Sequence, residues 1–248
     1  MPETIPILTF HSIDNRGEVI SFSPHLFRSG VTKLREQGYT TLSLIKGAES
    51  LRRGAPLPER SFIITFDDGY ENFYTEALPV LQECRMTATV FIVGGTTSSN
   101  ERAPFEGRAM LSWKQIRETL QCGMDIGSHT LTHPDLTKLS QDQIEAEIND
   151  SKKLLEDRLG ESISSFAYPF GRYDTRSRQV VGQSFDCACS DRLGIASSGS
   201  DLYALERVDA YYLRKETTFD LMLSKLFPAY IWSRSVPRRL RRMLWARR

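Results

Sequence analysis

The stretch Ser61-Phe62-Ile63-Ile64-Thr65-Phe66-Asp67-Asp68-Gly69 decides the fold. Residues Phe62–Phe66 show no alternation of polar and apolar positions, as a half-exposed strand would. Such a run predicts a parallel strand covered on both faces. It then stops at two carboxylates and a glycine. In folds that alternate parallel strands with helices, reactive groups gather at the C-terminal ends of strands. The pair Asp67-Asp68 is therefore the first candidate site.

Reading outward, strands are predicted at Ile5–Phe10, Thr87–Val93, Asp125–Ser128, Ser164–Tyr168, Phe185–Cys189 and Glu206–Tyr212. Helical patterns lie between them at Pro24–Gln37, Tyr70–Cys84, Ser112–Cys122, Ser140–Leu159, Asp174–Gln183 and Thr217–Phe227. Ser140-Gln141-Asp142-Gln143 has the form of a capping box, and Gly160 stops that helix. Strands alternating with helices predict an α/β fold, either a (β/α) barrel or a doubly wound sheet.

The composition is that of a globular protein. The 248 residues are 40% hydrophobic and 25% charged, which excludes disorder and fibrous repeats. Net charge is +1, so no overall field calls for nucleic acid. The balance is uneven, because the fifteen residues after Ser233 hold seven Arg and no acid. Cys84, Cys122, Cys187 and Cys189 show no disulfide framework spacing and read as reduced thiols. No signal peptide is read at Met1–Pro6 and no apolar run spans a bilayer, so a cytoplasmic location is expected.

Three further strand ends carry polar chemistry: His11, Ser128-His129-Thr130-Leu131-Thr132-His133, and Tyr168-Pro169-Phe170-Gly171. Adjacent carboxylates repel each other, and a divalent cation removes the conflict if one ligates and the other stays free. His129 and His133 are four apart, a spacing that on a helical turn presents two imidazoles to one point. Two His and one Asp make a three-ligand site with open positions, the pattern of a catalytic metal rather than a closed structural one. Zinc suits this set best, and Co2+, Ni2+ or Mn2+ also fit. Asp-Asp-Gly alone also fits a turn, and a single His-x-x-x-His also fits a helix face. Their joint occurrence at two strand ends favours the metal site.

Thr65–Gly69, Ser128–His133 and Tyr168–Gly171 resemble the first three motifs of the polysaccharide deacetylases, the NodB-homology or carbohydrate esterase family 4 domains. The resemblance covers roughly residues 5 to 213. It implies a distorted (β/α)7 barrel and hydrolysis of N-acetyl groups on amino sugars by metal-activated water. Carried over by position, Asp68, His129 and His133 are the implied metal ligands and Asp67 the general base. The backbone N–H of Phe170 is the implied oxyanion donor, and Tyr168 and Pro169 are implied at the substrate.

Three features depart from the family pattern. Ala167 and Tyr168 stand where many relatives carry an Arg that orients the base, no fourth motif is visible around Phe185–Cys189, and no His follows His133. Phe10-His11 resembles the start of a rearranged branch, the biofilm poly-N-acetylglucosamine deacetylases, in which an N-terminal His acts as the acid. His11 is therefore the candidate general acid, since imidazole can protonate a leaving amine near neutral pH. Arg207 is a candidate orienter of Asp67 through a charge-assisted contact. His25 reads as structural or surface, Asp174 as a helix N-cap, and Asp186 and Asp209 as structural only.

Residues 1–215 are expected to form the catalytic domain, and 216–248 a C-terminal helix with a basic amphipathic tail. After Pro237, Leu240, Met243, Leu244 and Trp245 fall at helical spacing among Arg, the pattern of a short helix on an anionic membrane. Peripheral contact through 234–248 on the inner face would make a lipid-linked saccharide a natural substrate, beside free N-acetylated saccharides. The loop 94–109 offers small polar residues suited to sugar hydroxyls. The expected function is metal-dependent carbohydrate N-deacetylation. The alternatives are an O-acetyl esterase, an inactive carbohydrate-binding relative, or a scaffold acting through its tail. No nucleic-acid partner is expected.

Overall fold

Seven parallel strands close into a barrel: β1 (Ile7–Phe10), β2 (Ser61–Phe66), β3 (Thr89–Ile92), β4 (Asp125–Ser128), β5 (Ser165–Ala167), β6 (Cys187–Leu193) and β7 (Leu205–Asp209). Each pairs with the next in sequence. β7 returns to β1 with Val208 opposite Leu8, while β1 pairs β2 with Ile7 opposite Ile63. The structure, a computed structural model, describes residues 4–96 and 105–245, with side chains as far as Arg238. Of the two architectures that alternation permits, the molecule adopts the distorted (β/α)7 barrel.

The continuous apolar runs reflect two cores separated by the strand period. Ile7, Ile63, Phe91, Ala167, Cys187, Cys189 and Leu205 pack together inside the barrel. Leu8, Phe10, Ile64, Phe66, Val90 and Ile92 point outward against the helices. The helices are α1 (Pro24–Glu36), α2 (Leu44–Arg53), α3 (Leu78–Cys84), α4 (Trp113–Gln121), α5 (Gln141–Leu159), α6 (Thr175–Ser184), α7 (Glu216–Phe219) and α8 (Phe227–Trp245), and all but α2 bury residues in that outer layer. Leu44, Ala48 and Leu51 of α2 join the inner core and plug the barrel at the strands' N-terminal end. Gly47 makes this approach possible, since a Cβ there would lie 2.5 Å from Ile63 Cδ1. The opposite end is lined by Thr9, Asp67 and Arg207, so polar side chains meet the cleft there.

Several elements differ from expectation. Helix α2 is not read from the sequence, although Ser43 caps its start and left-handed Gly54 its end. The predicted helix Tyr70–Cys84 opens with a π-turn at Phe73–Ala77, next to Pro79, which has no N–H for the helical ladder. The predicted Thr217–Phe227 helix breaks into α7, a 3-10 turn at Asp220–Leu223, and α8. Helix α8 starts ten residues before Pro237 and runs through it. Phe227, Ile231 and Ser235 form its buried stripe, and the Tyr230 hydroxyl donates to the Tyr212 carbonyl at 2.8 Å. The side chains of Leu240, Met243, Leu244 and Trp245 lie outside the described residues, as does part of the 94–109 loop. All four cysteines are unpaired thiols, and burial pushes Cys189 up to about 12.

Candidate active site

The two carboxylates diverge because the backbone turns sharply between them. The Asp67 N–H still donates to the Phe10 carbonyl at 2.9 Å, extending the β1–β2 ladder by one bond. Asp68 and Gly69 then adopt left-handed conformations, φ 71° and 80°. A non-glycine residue held there stores strain, a feature that clusters at functional sites. Asp68 consequently faces β4, and Asp67 faces β7.

Asp67 is clasped by Arg207 on β7. Arg207 Nη1 and Nη2 donate to Asp67 Oδ1 and Oδ2, each at 2.7 Å, in a bidentate fork. The guanidinium is itself fixed, with Nε donating to the Ser190 carbonyl at 3.0 Å and Nη1 to Thr65 Oγ1 at 3.3 Å. Both partners are 4% exposed at the side chain. Burial raises the Asp67 carboxyl, but Arg207 with the His129 and His11 imidazoles outweighs it and holds the group below its usual range. His11 Nε2 lies 3.8 Å from Asp67 Oδ2 on the cleft side.

Asp68 meets both motif histidines, with Oδ1 lying 3.4 Å from His129 Nε2 and 3.3 Å from His133 Nε2. The histidines do not share a helical turn. Thr130 and His133 take left-handed conformations, φ 66° and 61°, and fold the segment into a loop. Glu147 of α5 clamps that loop, accepting from the Leu131 and Thr132 N–H groups at 2.9 Å each and from the Thr132 hydroxyl at 2.6 Å. His129 Nδ1 donates to the Ala167 carbonyl at 2.7 Å, which fixes the ring and turns Nε2 toward Asp68.

The ligand atoms of Asp68, His129 and His133 all lie within 4.8 Å of one another. Burial opposes charging His129, yet its bond to Asp68 and the charges of Asp67 and Asp68 raise it on balance. The same negative potential suits a cation. Two imidazole nitrogens and one carboxylate are the donor set for a divalent ion of borderline softness, so these residues fit a metal.

The other predicted residues divide. Phe170 is 53% exposed, packs edge-on against the His133 ring at 4.7 Å, and has a left-handed backbone, φ 56°. The turn's own bonds run from the Gly171 N–H to the Tyr168 carbonyl and from the Arg172 N–H to the Pro169 carbonyl, so the Phe170 N–H serves neither. Tyr168 and Pro169 are buried and do not line the cleft, contrary to the sequence reading. The Tyr168 hydroxyl donates to the Tyr203 carbonyl at 3.0 Å, and its ring stacks on Tyr173. His25 is exposed on α1, and Asp174 caps α6 through the Ser177 N–H.

His11, Asp67, Asp68, His129, His133, Phe170 and Arg207 line one cleft of about 220 Å³. Sequence reading missed several of its walls. Asp209, assigned only a structural part, lines the cleft, as do Glu106, Asp191 and Arg238. Behind Glu106, buried Arg108 ties the 12–21 loop together through Ser12, Asp14, Glu18 and Ser21.

Residues 54–184 match the family model described as polysaccharide deacetylase. YxkH of Bacillus subtilis, which carries a polysaccharide deacetylase name, is 31% identical over 208 residues, 84% of this chain and 71% of that protein. The poly-beta-1,6-N-acetyl-D-glucosamine N-deacetylase of Escherichia coli K12 is 30% identical over 134 residues, 50% of this chain but only 20% of that protein. Among solved structures, the Streptococcus pyogenes deacetylase PplD in complex with acetate superposes with a TM-score of 0.77 at 30% identity, over 84% of this chain and 93% of that one.

Proposed function

The chain belongs to the polysaccharide deacetylase family, and we propose that it is a metal-dependent hydrolase that removes N-acetyl groups from an amino-sugar glycan or lipid-linked saccharide. The observation that carries this reading is the division of labour between adjacent carboxylates. Asp68 gathers His129 and His133, while Asp67 stands apart on Arg207 with His11 beside it. A binding protein needs no second carboxylate held free of the ligand set.

Asp68, His129 and His133 would hold the metal. When bound, it supplies Lewis acidity toward a carbonyl oxygen and lowers the pKa of nearby water. Asp67 takes a proton from the attacking water as that oxygen bonds to the acetyl carbon. Arg207 keeps Asp67 ionised and fixes the plane of its carboxylate. The Phe170 N–H donates to the developing oxyanion. His11, protonated, gives its proton to the amine nitrogen as the C–N bond breaks, leaving acetate and a free amine. The missing late histidine makes His11 the acid that this cleft offers.

The test is acetate release by metal-loaded protein from a lipid-linked N-acetylhexosamine and from a soluble N-acetylglucosamine oligomer, with Asp67→Asn as control. Release abolished in the control supports the reading, and silence on both substrates sinks it. A His11→Ala enzyme within a few-fold of wild type would remove His11 as the acid.

Residues 234–248, with seven Arg and no acid, support peripheral contact with an anionic membrane. No helix among the described residues is long and apolar enough to cross a membrane. Changing Arg239, Arg241, Arg242, Arg247 and Arg248 to Gln should abolish co-sedimentation with anionic vesicles. Unaltered sedimentation would remove the membrane contact.

A further inference from the structure

Arg238 lines the same cleft as the Asp67–Asp68 pair, although the sequence places it in the tail. It sits on α8, three residues after buried Ser235, on a helix anchored by Phe227, Ile231 and the Tyr230–Tyr212 bond. Its place at the cleft is thus built into the packing.

Its bonding differs from that of Arg207. Arg238 Nη2 donates to Asp191 Oδ2 at 3.3 Å and Nη1 to the Tyr212 hydroxyl at 3.4 Å, both long and to different residues. The side chain stays 36% exposed. A planar fork with five donors that is held by two long single contacts keeps bidentate capacity to spare. Asp191 itself lines the cleft, but its backbone is packed against Gly171, where a Cβ would lie 2.2 Å from the Asp191 nitrogen, so its backbone stays on that wall when Arg238 turns away. Of the two guanidiniums that line the cleft among the described residues, Arg207 is committed to Asp67, which leaves Arg238 to meet an anion.

Resting on the deacetylase reading, we infer that Arg238 is a specificity residue that binds an anionic phosphate ester on the N-acetylated sugar, exchanging Asp191 for the phosphate. A tetrahedral phosphate offers two oxygens to one guanidinium fork, which the single Asp191 contact does not use. The phosphate can belong to a lipid-linked glycosyl phosphate or to a soluble sugar phosphate.

The experiment compares kcat/KM for acetate release, using metal-loaded full-length protein, on N-acetylglucosamine 1-phosphate and on its neutral methyl glycoside. A third arm presents the same phosphate as a polyprenyl ester in uncharged vesicles. Wild type should prefer the phosphorylated sugar by about tenfold or more, the size of one charge-assisted contact. Arg238→Ala should bring the ratio to about one, and Arg238→Lys should recover part of it, since Lys keeps the charge without the fork. Asp191→Asn should raise the ratio several-fold by removing the competing carboxylate, an effect that loss of folding cannot mimic. A drop confined to the polyprenyl arm in Arg238→Ala assigns the contact to a lipid-linked phosphate, and a drop in both arms assigns it to the phosphate wherever it is carried. A wild-type ratio near one, or ratios unmoved in both Arg238→Ala and Asp191→Asn, would overturn the inference. Absence of acetate from all three substrates overturns the deacetylase reading and takes this inference with it.

Discussion

Two arginine–aspartate pairs line one cleft and are built for different purposes. On the floor, Arg207 grips Asp67 through two bonds of 2.7 Å, with both side chains 4% exposed. On the wall, Arg238 touches Asp191 once, at 3.3 Å, with both side chains roughly one-third exposed. Removing a partner from a buried ion pair strands an uncompensated charge, whereas an exposed pair is screened and worth little. The floor pair is therefore a fixed part of the site, and the wall pair is free to exchange partners.

Breaking the floor pair should produce the largest effect. Arg207→Met leaves the Asp67 carboxylate buried and alone, and should cost about 3–5 kcal/mol of stability in denaturant unfolding. Arg207→Lys separates charge from geometry: it keeps the cation but cannot form the fork. We expect a lowered kcat with a smaller loss of stability, and full activity in that variant would remove Arg207 as the residue that positions the base. Asp67→Asn should lower kcat by about 10²–10⁴, the usual range for losing a general base, as measured by acetate release.

The floor was only partly legible in the sequence. Asp67, Asp68, His129 and His133 could be read because each pair lies within a few residues at one strand end, inside the segment matched by the family model. Arg207 stands 140 residues from Asp67, and only closure of the barrel brings β7 around to β1 and β2. The absence of an Arg at Ala167-Tyr168 pointed to Arg207 as a replacement, without giving the geometry. Tyr168 was misplaced although a signal was present. It lies two residues beyond Phe166, so the strand period puts both on the outward face, where their rings meet. Arg238 was misplaced because seven arginines dominate the tail, while the stripe that docks α8, Phe227-x-x-x-Ile231-x-x-x-Ser235, is short and ends in a serine.

A substitution between the two pairs tests whether they are mechanically joined. At Gly171 the backbone is left-handed, φ 62°, and a Cβ would lie 2.1 Å from Asp191 Cβ. Gly171→Ala should cost about 1–3 kcal/mol through this overlap. Because Phe170 precedes it, activity should fall as well. An alanine variant with wild-type unfolding and rate would show that the turn can move away from Asp191 freely.

Arg108 provides an intermediate case. Its partner Asp14 is partly buried: burial raises the carboxyl, but the Ser12 and Ser21 hydroxyls, the Arg16 N–H and Arg108 hold it well below the usual range. The folded state thus binds this proton less readily than the unfolded chain does. The stabilisation is complete above the unfolded value of about 3.9 and is lost as pH falls through the lowered folded value. Wild type should lose Tm more steeply below about pH 4 than Asp14→Asn does. Parallel curves would mean that Asp14 contributes nothing to acid sensitivity.

The smallest effect on stability should come from the wall pair itself. With Arg238 36% exposed and a single long contact to Asp191, Arg238→Ala should change unfolding free energy by only about 0–1 kcal/mol. This near-neutrality separates the two arginines, since the same truncation at Arg207 removes the countercharge of a fully buried carboxylate. A loss of several kcal/mol at Arg238 would mean that the pair is a structural clamp on α8, and a clamp cannot release Asp191 to receive a phosphate. A small loss leaves the guanidinium free to change partners, as substrate binding at that wall requires.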